Sequence, residues 1–173
     1  MSTAGGPSSA LPHWHGRTSS PEQTEAVGAA LALTQPARAD APLVLYLRGD
    51  LGAGKTTLVR GFLRALGVTQ TVRSPTYTLL ECYELGVLVC VHVDLYRLRD
   101  ASELEPLALR DLARGGHVWL IEWPQNASAR LPPPDLDIAL EVQSVGHMLA
   151  LDARSELGAG WLHRAVALFP QTL

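Results

Sequence analysis

The chain has 173 residues, of which 47% are hydrophobic and 18% charged, and this favours one globular domain over a disordered chain. The sequence contains no run of about 18 apolar residues, so it offers no membrane-spanning helix. The formal net charge of −3 excludes a strongly basic nucleic-acid surface, with a pI above about 9. Cys82 and Cys90 are too few for a disulfide framework, so we expect two buried free thiols and a reducing cytoplasm.

The chain is predicted to begin with a disordered tail over residues 1–19, which are rich in Ser, Gly and Pro. A capping pattern over residues 20–23 then starts a helix. An apolar strand over residues 43–48 leads through a glycine-rich turn into an amphipathic helix over residues 56–66.

The rest of the chain alternates strands with helices or stiff connectors. A helical stretch that begins at Asp100 is expected to break at Pro106. This alternation predicts an α/β fold, with a central, mostly parallel sheet flanked by helices and an antiparallel strand pair near the C terminus. We expect one domain over residues 20–153, with a helix in residues 154–173 packed on it. The predicted elements are strands over residues 77–85, 87–93, 118–121, 135–142 and 148–153, and a closing helix over 155–169.

One segment matches a nucleotide-binding motif at every fixed position. The glycine-rich turn reads GDLGAGKT from Gly49 to Thr56 and fits G-x-x-x-x-G-K-[ST]. Glycines let backbone amides point inward at phosphate oxygens, and the N-terminus of the next helix adds a positive dipole end. Lys55 is expected to reach the β and γ phosphates, and the Thr56 hydroxyl to bind Mg²⁺. The motif predicts a P-loop NTPase-like domain; an ordinary glycine-rich turn is the alternative.

The distribution of cationic residues supports the same interpretation. Of the 14 Lys and Arg residues, only Lys55 is a lysine. An ammonium is a compact point charge, whereas a guanidinium is a planar fork, so the single lysine indicates a site that needs the former. It also disfavours a GTPase, because the guanine-reading motif N-K-x-D requires a lysine outside the P-loop.

Two predicted strands end in carboxylates. Asp94 follows the apolar run over residues 89–93, and Glu122 follows the run over 118–121. Ligands of open α/β sheets bind at the carboxyl ends of strands, so we expect both acids near the γ phosphate. Either acid would form a magnesium site with Thr56. The alternatives are a capping or turn role for Asp94 and a structural ion pair for Glu122.

A hydroxyl-rich loop, RSPTYT over residues 73–78, follows the P-loop helix. In P-loop switch proteins a loop in this place senses the γ phosphate through a Thr hydroxyl, so Thr76 is a candidate catalytic residue. A turn held by Pro75 is the alternative. Arg97, three residues after Asp94, either stabilises transferred charge or pairs with an acid.

Four motifs follow one another along the chain: GDLGAGKTT at 49–57, SPTYTL at 74–79, DLYRL at 94–98 and EWP at 122–124. Together they resemble the TsaE/YjeE family of bacterial P-loop ATPases. The resemblance implies a role in the synthesis of threonylcarbamoyladenosine, a modified base beside the anticodon of tRNA. It also implies that ATP hydrolysis resets a TsaB–TsaD complex, so that the connection to tRNA is indirect.

The resemblance further implies roles for individual residues. Thr56 and Glu122 would hold Mg²⁺ with Asp94 close by, and Lys55 and Thr76 would join the two acids in catalysis. Glu22 would lie on the adenine side. The expected ATP-binding residues of the P-loop are Gly49, Asp50, Leu51, Gly52, Ala53, Gly54, Lys55, Thr56 and Thr57.

Two other functions fit a P-loop. One is a small-molecule kinase, for which residues 110–114 offer only a weak Arg-containing lid. Phosphate release, measured against phosphoryl transfer to small acceptors, separates it from an ATPase. The other is a nucleotide-controlled interaction module without catalysis, which would keep its function when Glu122 or Asp94 is substituted.

Overall fold

The computed structural model describes residues 10–37, 40–100, 102–104 and 109–171, except for the side chain of Arg110. None of the helices in these ranges is long and apolar enough to cross a membrane. The helices are α1 Pro21–Leu33, α2 Lys55–Ala65, α3 Leu109–Leu112 and α4 Glu156–Val166. The strands are β1 His13–Thr18, β2 Leu43–Arg48, β3 Leu80–Leu85, β4 Leu88–Asp94, β5 His117–Glu122, β6 Leu136–Val142 and β7 His147–Ala153.

These strands form one mixed sheet in the order β1-β7-β6-β2-β5-β4-β3. The four central strands β6, β2, β5 and β4 are parallel. Antiparallel strands complete both margins: β7 and β1 beyond β6, and β3 beyond β4. The predicted α/β class, with a parallel centre and an antiparallel pair β6–β7, is therefore confirmed.

Strand β1 corrects the prediction of a disordered tail over residues 1–19. It pairs with β7 along its whole length, from His13 opposite Asp152 to Thr18 opposite His147. The Trp14 ring packs edge-on against Phe169, with centroids 4.8 Å apart. Every second residue of β1 is exposed, so the strand is short and partly polar. Such a segment resembles a disordered tail when only the sequence is considered. Residues 1–9 lie outside the described residues.

Helices α1 and α2 cover one face of the sheet and cross at very short distance. A Cβ atom on Gly28 would lie 2.1 Å from the carbonyl oxygen of Leu58, and one on Gly61 would lie 2.0 Å from that of Glu25. Helix α4 packs beside α1, where the buried Trp161 donates from Nε1 to the Leu31 carbonyl at 2.9 Å. A closing helix is thus present, while the domain boundary at residue 153 stays a prediction.

The opposite face is covered by shorter segments. Within the described residues, the stretch predicted to be helical from Asp100 contains a 3₁₀ turn over residues 102–104 and helix α3. Apolar side chains from these segments pack on the core residues of that face, among them Trp119 and Ile121. The expected break at Pro106 lies outside the described residues.

The two cysteines differ in environment. Cys82 lies opposite Val91, and Cys90 lies opposite Tyr83, so the thiols do not face each other across the hairpin. Cys90 is buried, but Cys82 is exposed, and the expectation of two buried thiols is wrong for Cys82.

The alternation of side chains along β4 and β5 places His92, Asp94 and Glu122 on the same face of the sheet. Cys90 and Leu120 belong to the core beneath α1 and α2. Because side chains alternate with a period of two, His92 and Asp94 share the face of Cys90, and Glu122 shares that of Leu120. These residues approach the carboxyl ends of their strands, at the same edge of the sheet as the turn that follows β2.

Candidate nucleotide-binding site

The turn between β2 and α2 is built on glycine conformations. Gly49, Gly52 and Gly54 have φ angles of 137°, 80° and 97°, which residues with a Cβ rarely adopt. A Cβ on Gly49 would also lie 2.2 Å from the Leu140 carbonyl oxygen, so this glycine lets the turn lie against β6. Gly54 is the N-cap of α2 and supplies no side-chain hydrogen bond, which leaves the helix start available to an anion.

Lys55 is folded into this turn. Its Nζ donates to the carbonyl oxygens of Gly49 at 2.7 Å and Asp50 at 2.8 Å. The same atom lies 4.2 Å from the centroid of the Trp123 ring, a cation–π contact. Burial lowers the pKa of Lys55, and nearby carboxylates, with Glu122 foremost, oppose this shift. The ammonium is thus held inside the turn by two carbonyl oxygens, which the oxygens of a ligand could replace as hydrogen-bond acceptors.

Glu122 is buried at the end of β5, and its Oε1 accepts two hydrogen bonds. Thr56 Oγ1 donates at 2.8 Å from the start of α2. His92 Nε2 lies 2.9 Å away on β4. A carboxylate oxygen only accepts, so Nε2 carries the proton of this histidine. Thr56 and Glu122, which are predicted to hold Mg²⁺ together, thus lie side by side and share a direct hydrogen bond.

Asp94 is buried at the end of β4 and binds the hydroxyl-rich loop. Ser74 Oγ donates to its Oδ2, and Thr76 Oγ1 donates to the same oxygen at 3.2 Å. Its Oδ1 accepts from the backbone N of Tyr96 at 2.8 Å, which is the turn contact named above as an alternative. Asp94 therefore stabilises the turn after β4 and also holds the Ser74 and Thr76 hydroxyls beside the P-loop.

A cleft of about 210 Å³ joins these groups. Gly49, Asp50 and Ala53 belong to the P-loop but do not line the cleft. Leu51 lines it, as expected for a residue predicted to bind ATP, and Tyr96 lines it without having been predicted as a site residue. The lining residues are Leu51, Gly52, Gly54, Lys55, Thr56, Thr57, Ser74, Thr76, Asp94, Tyr96, Glu122 and Trp123.

Trp123 forms one wall of the cleft in a conformation that is uncommon outside glycine. Its φ angle is 58°, in the left-handed region, immediately before Pro124. The Trp123 ring contacts Tyr96, with centroids 5.0 Å apart and planes tilted by 45°. With this backbone conformation, the indole lies over the Lys55 ammonium.

Two predicted residues lie away from the cleft. Glu22 is exposed on the first turn of α1, where a hydrogen bond from Ser20 lowers the pKa of its carboxyl. The start of α1 still approaches the P-loop, since Thr24 Cγ2 lies 3.7 Å from the position of a Cβ on Gly54. Arg97 lies over the Tyr77 ring, 4.3 Å from its centroid, and does not line the cleft.

His92 was not predicted as a site residue from the sequence. The available signal was a polar residue inside an apolar strand, two positions before Asp94 and therefore on the same face.

The oxygen donors at the cleft suit Mg²⁺. Thr56, Glu122 and Asp94 offer hydroxyl and carboxylate oxygens, which are hard ligands. Across the described residues, no group of three or more His, Cys, Asp or Glu side chains could hold a metal ion alone. Proteins commonly bind Mg²⁺ through one or two carboxylates and the phosphates of a substrate.

The family of the chain follows from comparison with known proteins. The family model for the threonylcarbamoyl adenosine biosynthesis protein TsaE matches residues 18–149. The chain belongs to the TsaE family. Its family role is in tRNA threonylcarbamoyladenosine biosynthesis, which confirms the resemblance of the four motifs. The TsaE match starts at the last residue of β1 and ends before α4. The four motifs therefore carried no information about these two elements.

Individual TsaE proteins are similar over most of their length. The tRNA threonylcarbamoyladenosine biosynthesis protein TsaE of Haemophilus influenzae is 41% identical over 116 residues, which cover 67% of this chain and 73% of that protein. The TsaE protein of Bacillus subtilis is 42% identical over 125 residues, covering 72% and 75%. The crystal structure of Bacillus subtilis YdiB superposes with a TM-score of 0.70 at 30% identity, covering 92% of this chain and 98% of that one.

Proposed function

We propose that this protein is a Mg²⁺-dependent ATPase that binds and resets a TsaB–TsaD complex during threonylcarbamoyladenosine synthesis in the cytoplasm. The observation that carries the proposal is the meeting of three elements in one cleft: the P-loop with Lys55, the Thr56–Glu122 pair, and Asp94 with its loop hydroxyls. Contact with tRNA would be indirect, through the partner complex.

Binding of the triphosphate is assigned to the P-loop and Lys55. The glycines place backbone amides around the phosphates, and Lys55 exchanges its bonds to the Gly49 and Asp50 carbonyls for phosphate oxygens. The start of α2 adds its free amides and the positive end of its dipole.

Hydrolysis is assigned to the residues at the strand ends. Thr56 and Glu122 would hold Mg²⁺, which when bound neutralises charge that develops on the phosphate oxygens. Asp94, with the hydroxyls of Ser74 and Thr76, would orient the attacking water and accept its proton. Ser74 and Thr76 of the hydroxyl-rich loop are hydrogen-bonded to Asp94 directly. Loss of the γ phosphate would therefore be transmitted to this loop through the Asp94 side chain.

Dependence on a partner is supported by what the cleft lacks. Among the described residues that line it, Lys55 is the only cation, and no arginine is present. A charge-stabilising arginine supplied by a partner raises phosphoryl-transfer rates by about 10³–10⁵ in other P-loop enzymes. We therefore expect slow turnover alone and faster turnover with TsaB–TsaD.

The test compares Lys55→Ala with Arg60→Ala on the following turn of α2. Lys55→Ala should abolish nucleotide binding measured by calorimetry and phosphate release measured with and without TsaB–TsaD. Arg60 pairs with Glu25 at 2.8 Å and lies outside the cleft, so Arg60→Ala should retain both activities. Identical wild-type rates with and without the complex would contradict partner activation. Phosphoryl transfer to a small acceptor would favour the kinase instead.

A further inference from the structure

His92 is a buried polar residue that the proposed mechanism leaves without a role. Its side chain is inaccessible to solvent, in a strand whose neighbouring positions are apolar. It does not line the cleft, so it does not contact a bound nucleotide. Its one hydrogen bond in the described structure joins Nε2 to Oε1 of Glu122 at 2.9 Å.

The geometry points to His92 as a positioning residue that orients the Glu122 carboxylate for Mg²⁺, an inference that rests on the proposed function. Thr56 and His92 both donate to Oε1, from α2 and from β4. Two donors on one oxygen fix the rotation of the carboxylate about its last bond. The second oxygen, Oε2, is then the one presented to the cleft.

The donor from β4 matters because Thr56 has a second task. If its hydroxyl binds Mg²⁺ through an oxygen lone pair, its hydrogen bond to Glu122 must adjust to the metal geometry. His92 is carried by the neighbouring strand in register with β5, where it lies opposite Leu120. It therefore holds Glu122 independently of the P-loop. Groups that orient metal-binding side chains commonly change metal affinity by about 10–100-fold when they are removed.

A purely structural role explains His92 poorly. Its Nδ1 is buried and has no partner among the described residues. An unsatisfied buried acceptor costs stability, which an apolar side chain such as those of Val91 and Val93 would avoid. A histidine at this position therefore costs stability, and the hydrogen bond to Glu122 is the interaction that accounts for its presence.

The test separates donation to Glu122 from general packing. His92→Leu removes the donor, whereas His92→Gln keeps an amide N–H that can reach the same oxygen. We would measure the affinity of a fluorescent ADP analogue for each variant by anisotropy, in EDTA and across a Mg²⁺ titration. Circular dichroism and thermal unfolding would verify the fold. If His92→Leu does not fold, His92→Phe provides the same comparison with a ring that lacks the donor.

We expect His92→Leu to need at least about tenfold more Mg²⁺ for the same increase in nucleotide affinity, with its affinity in EDTA unchanged. His92→Gln should lie close to the wild type. Unchanged Mg²⁺ dependence in a folded His92→Leu protein would overturn the inference, as would an equal loss in EDTA or no rescue by His92→Gln. If the wild type itself gains no affinity from Mg²⁺, it is the proposed function that fails.

Discussion

At the scale of single residues, the chemistry of each side chain explains its position better than its polarity does. Lys55 is a charged residue that is only 4% exposed, yet its ammonium is satisfied by two carbonyl oxygens and an aromatic face. An ammonium is a compact point charge, whereas a guanidinium is a larger planar fork that does not reproduce these contacts from a single atom. This explains why the one lysine of the chain lies here.

The two thiols provide a residue-scale prediction. Burial raises the pKa of Cys90 to about 12. Cys82 is exposed, yet its pKa is also raised; the largest cause is partial desolvation of the thiol, and the negative charges of Glu84 and Glu81 add to it. Because the thiolate is the reactive form, modification of Cys82 by iodoacetamide should be slow near neutral pH and accelerate as the pH rises. Cys90 should react only after unfolding.

Mass spectrometry of the native and denatured protein would count the modified thiols. Cys82→Ser should remove the native reaction, and Cys90→Ser should leave it intact. Two thiols modified in the native protein at equal rates would contradict the buried position of Cys90.

At the scale of secondary-structure elements, the crossing of α1 and α2 is set by glycine. Gly28 and Gly61 each contact backbone atoms of the other helix, with no room for a Cβ. Glycine is a poor helix former, and costs about 1 kcal/mol relative to alanine in a helix interior. The close approach of the two helices offsets that cost, and it brings the start of α1 beside the P-loop.

Gly61→Ala should therefore destabilise the protein although alanine favours helix formation. The new Cβ would lie 2.0 Å from the Glu25 carbonyl oxygen, so the helices must separate. We expect the free energy of unfolding to fall by about 1–3 kcal/mol, measured by urea denaturation.

Gly160→Ala is the matched control in the interior of α4. A Cβ there meets nothing closer than the end of the Arg164 side chain at 3.4 Å, an ordinary van der Waals distance, and the position is exposed. This substitution should raise the free energy of unfolding by about 0.5–1 kcal/mol. Equal effects of the two substitutions would argue against the close crossing.

At the scale of the whole molecule, the two ends of the described chain meet on one side of the sheet. Strand β1 extends the sheet beyond β7, and Trp14 contacts Phe169, which follows α4. Thr18 at the end of β1 is buried and accepts a hydrogen bond from Thr24 at 2.8 Å, which connects the strand to the start of α1. Strand β1, of which only Thr18 lies within the family match, is thus connected to the element that flanks the P-loop.

Trp14→Ala should lower the free energy of unfolding by about 2–3 kcal/mol, somewhat less than for a fully buried tryptophan, because Trp14 is half-buried. His15→Ala, at the next and exposed position of β1, should change it by less than about 0.5 kcal/mol. Urea denaturation would measure both. An unaffected Trp14→Ala protein would contradict the contribution of β1 to the fold.

Much of the candidate site could be predicted from the sequence because its signals are local. The glycines and the lysine of the P-loop lie within eight residues, from Gly49 to Thr56. Asp94 and Glu122 each end an apolar run, and the carboxyl ends of parallel strands meet at one edge of a sheet. The α/β class follows from the same alternation of strands and helices. Each of these inferences needs only the conformation of a few neighbouring residues.

The tertiary structure alone decided which side chains meet across the sheet. His92 and Glu122 are 30 residues apart, and their contact depends on the pairing register of β4 with β5. Strand β1 exists because β7 offers an edge and Phe169 offers a surface for Trp14, neither of which is visible in residues 13–18. Such contacts depend on long-range register and face, and a one-residue shift of either strand would separate the groups involved.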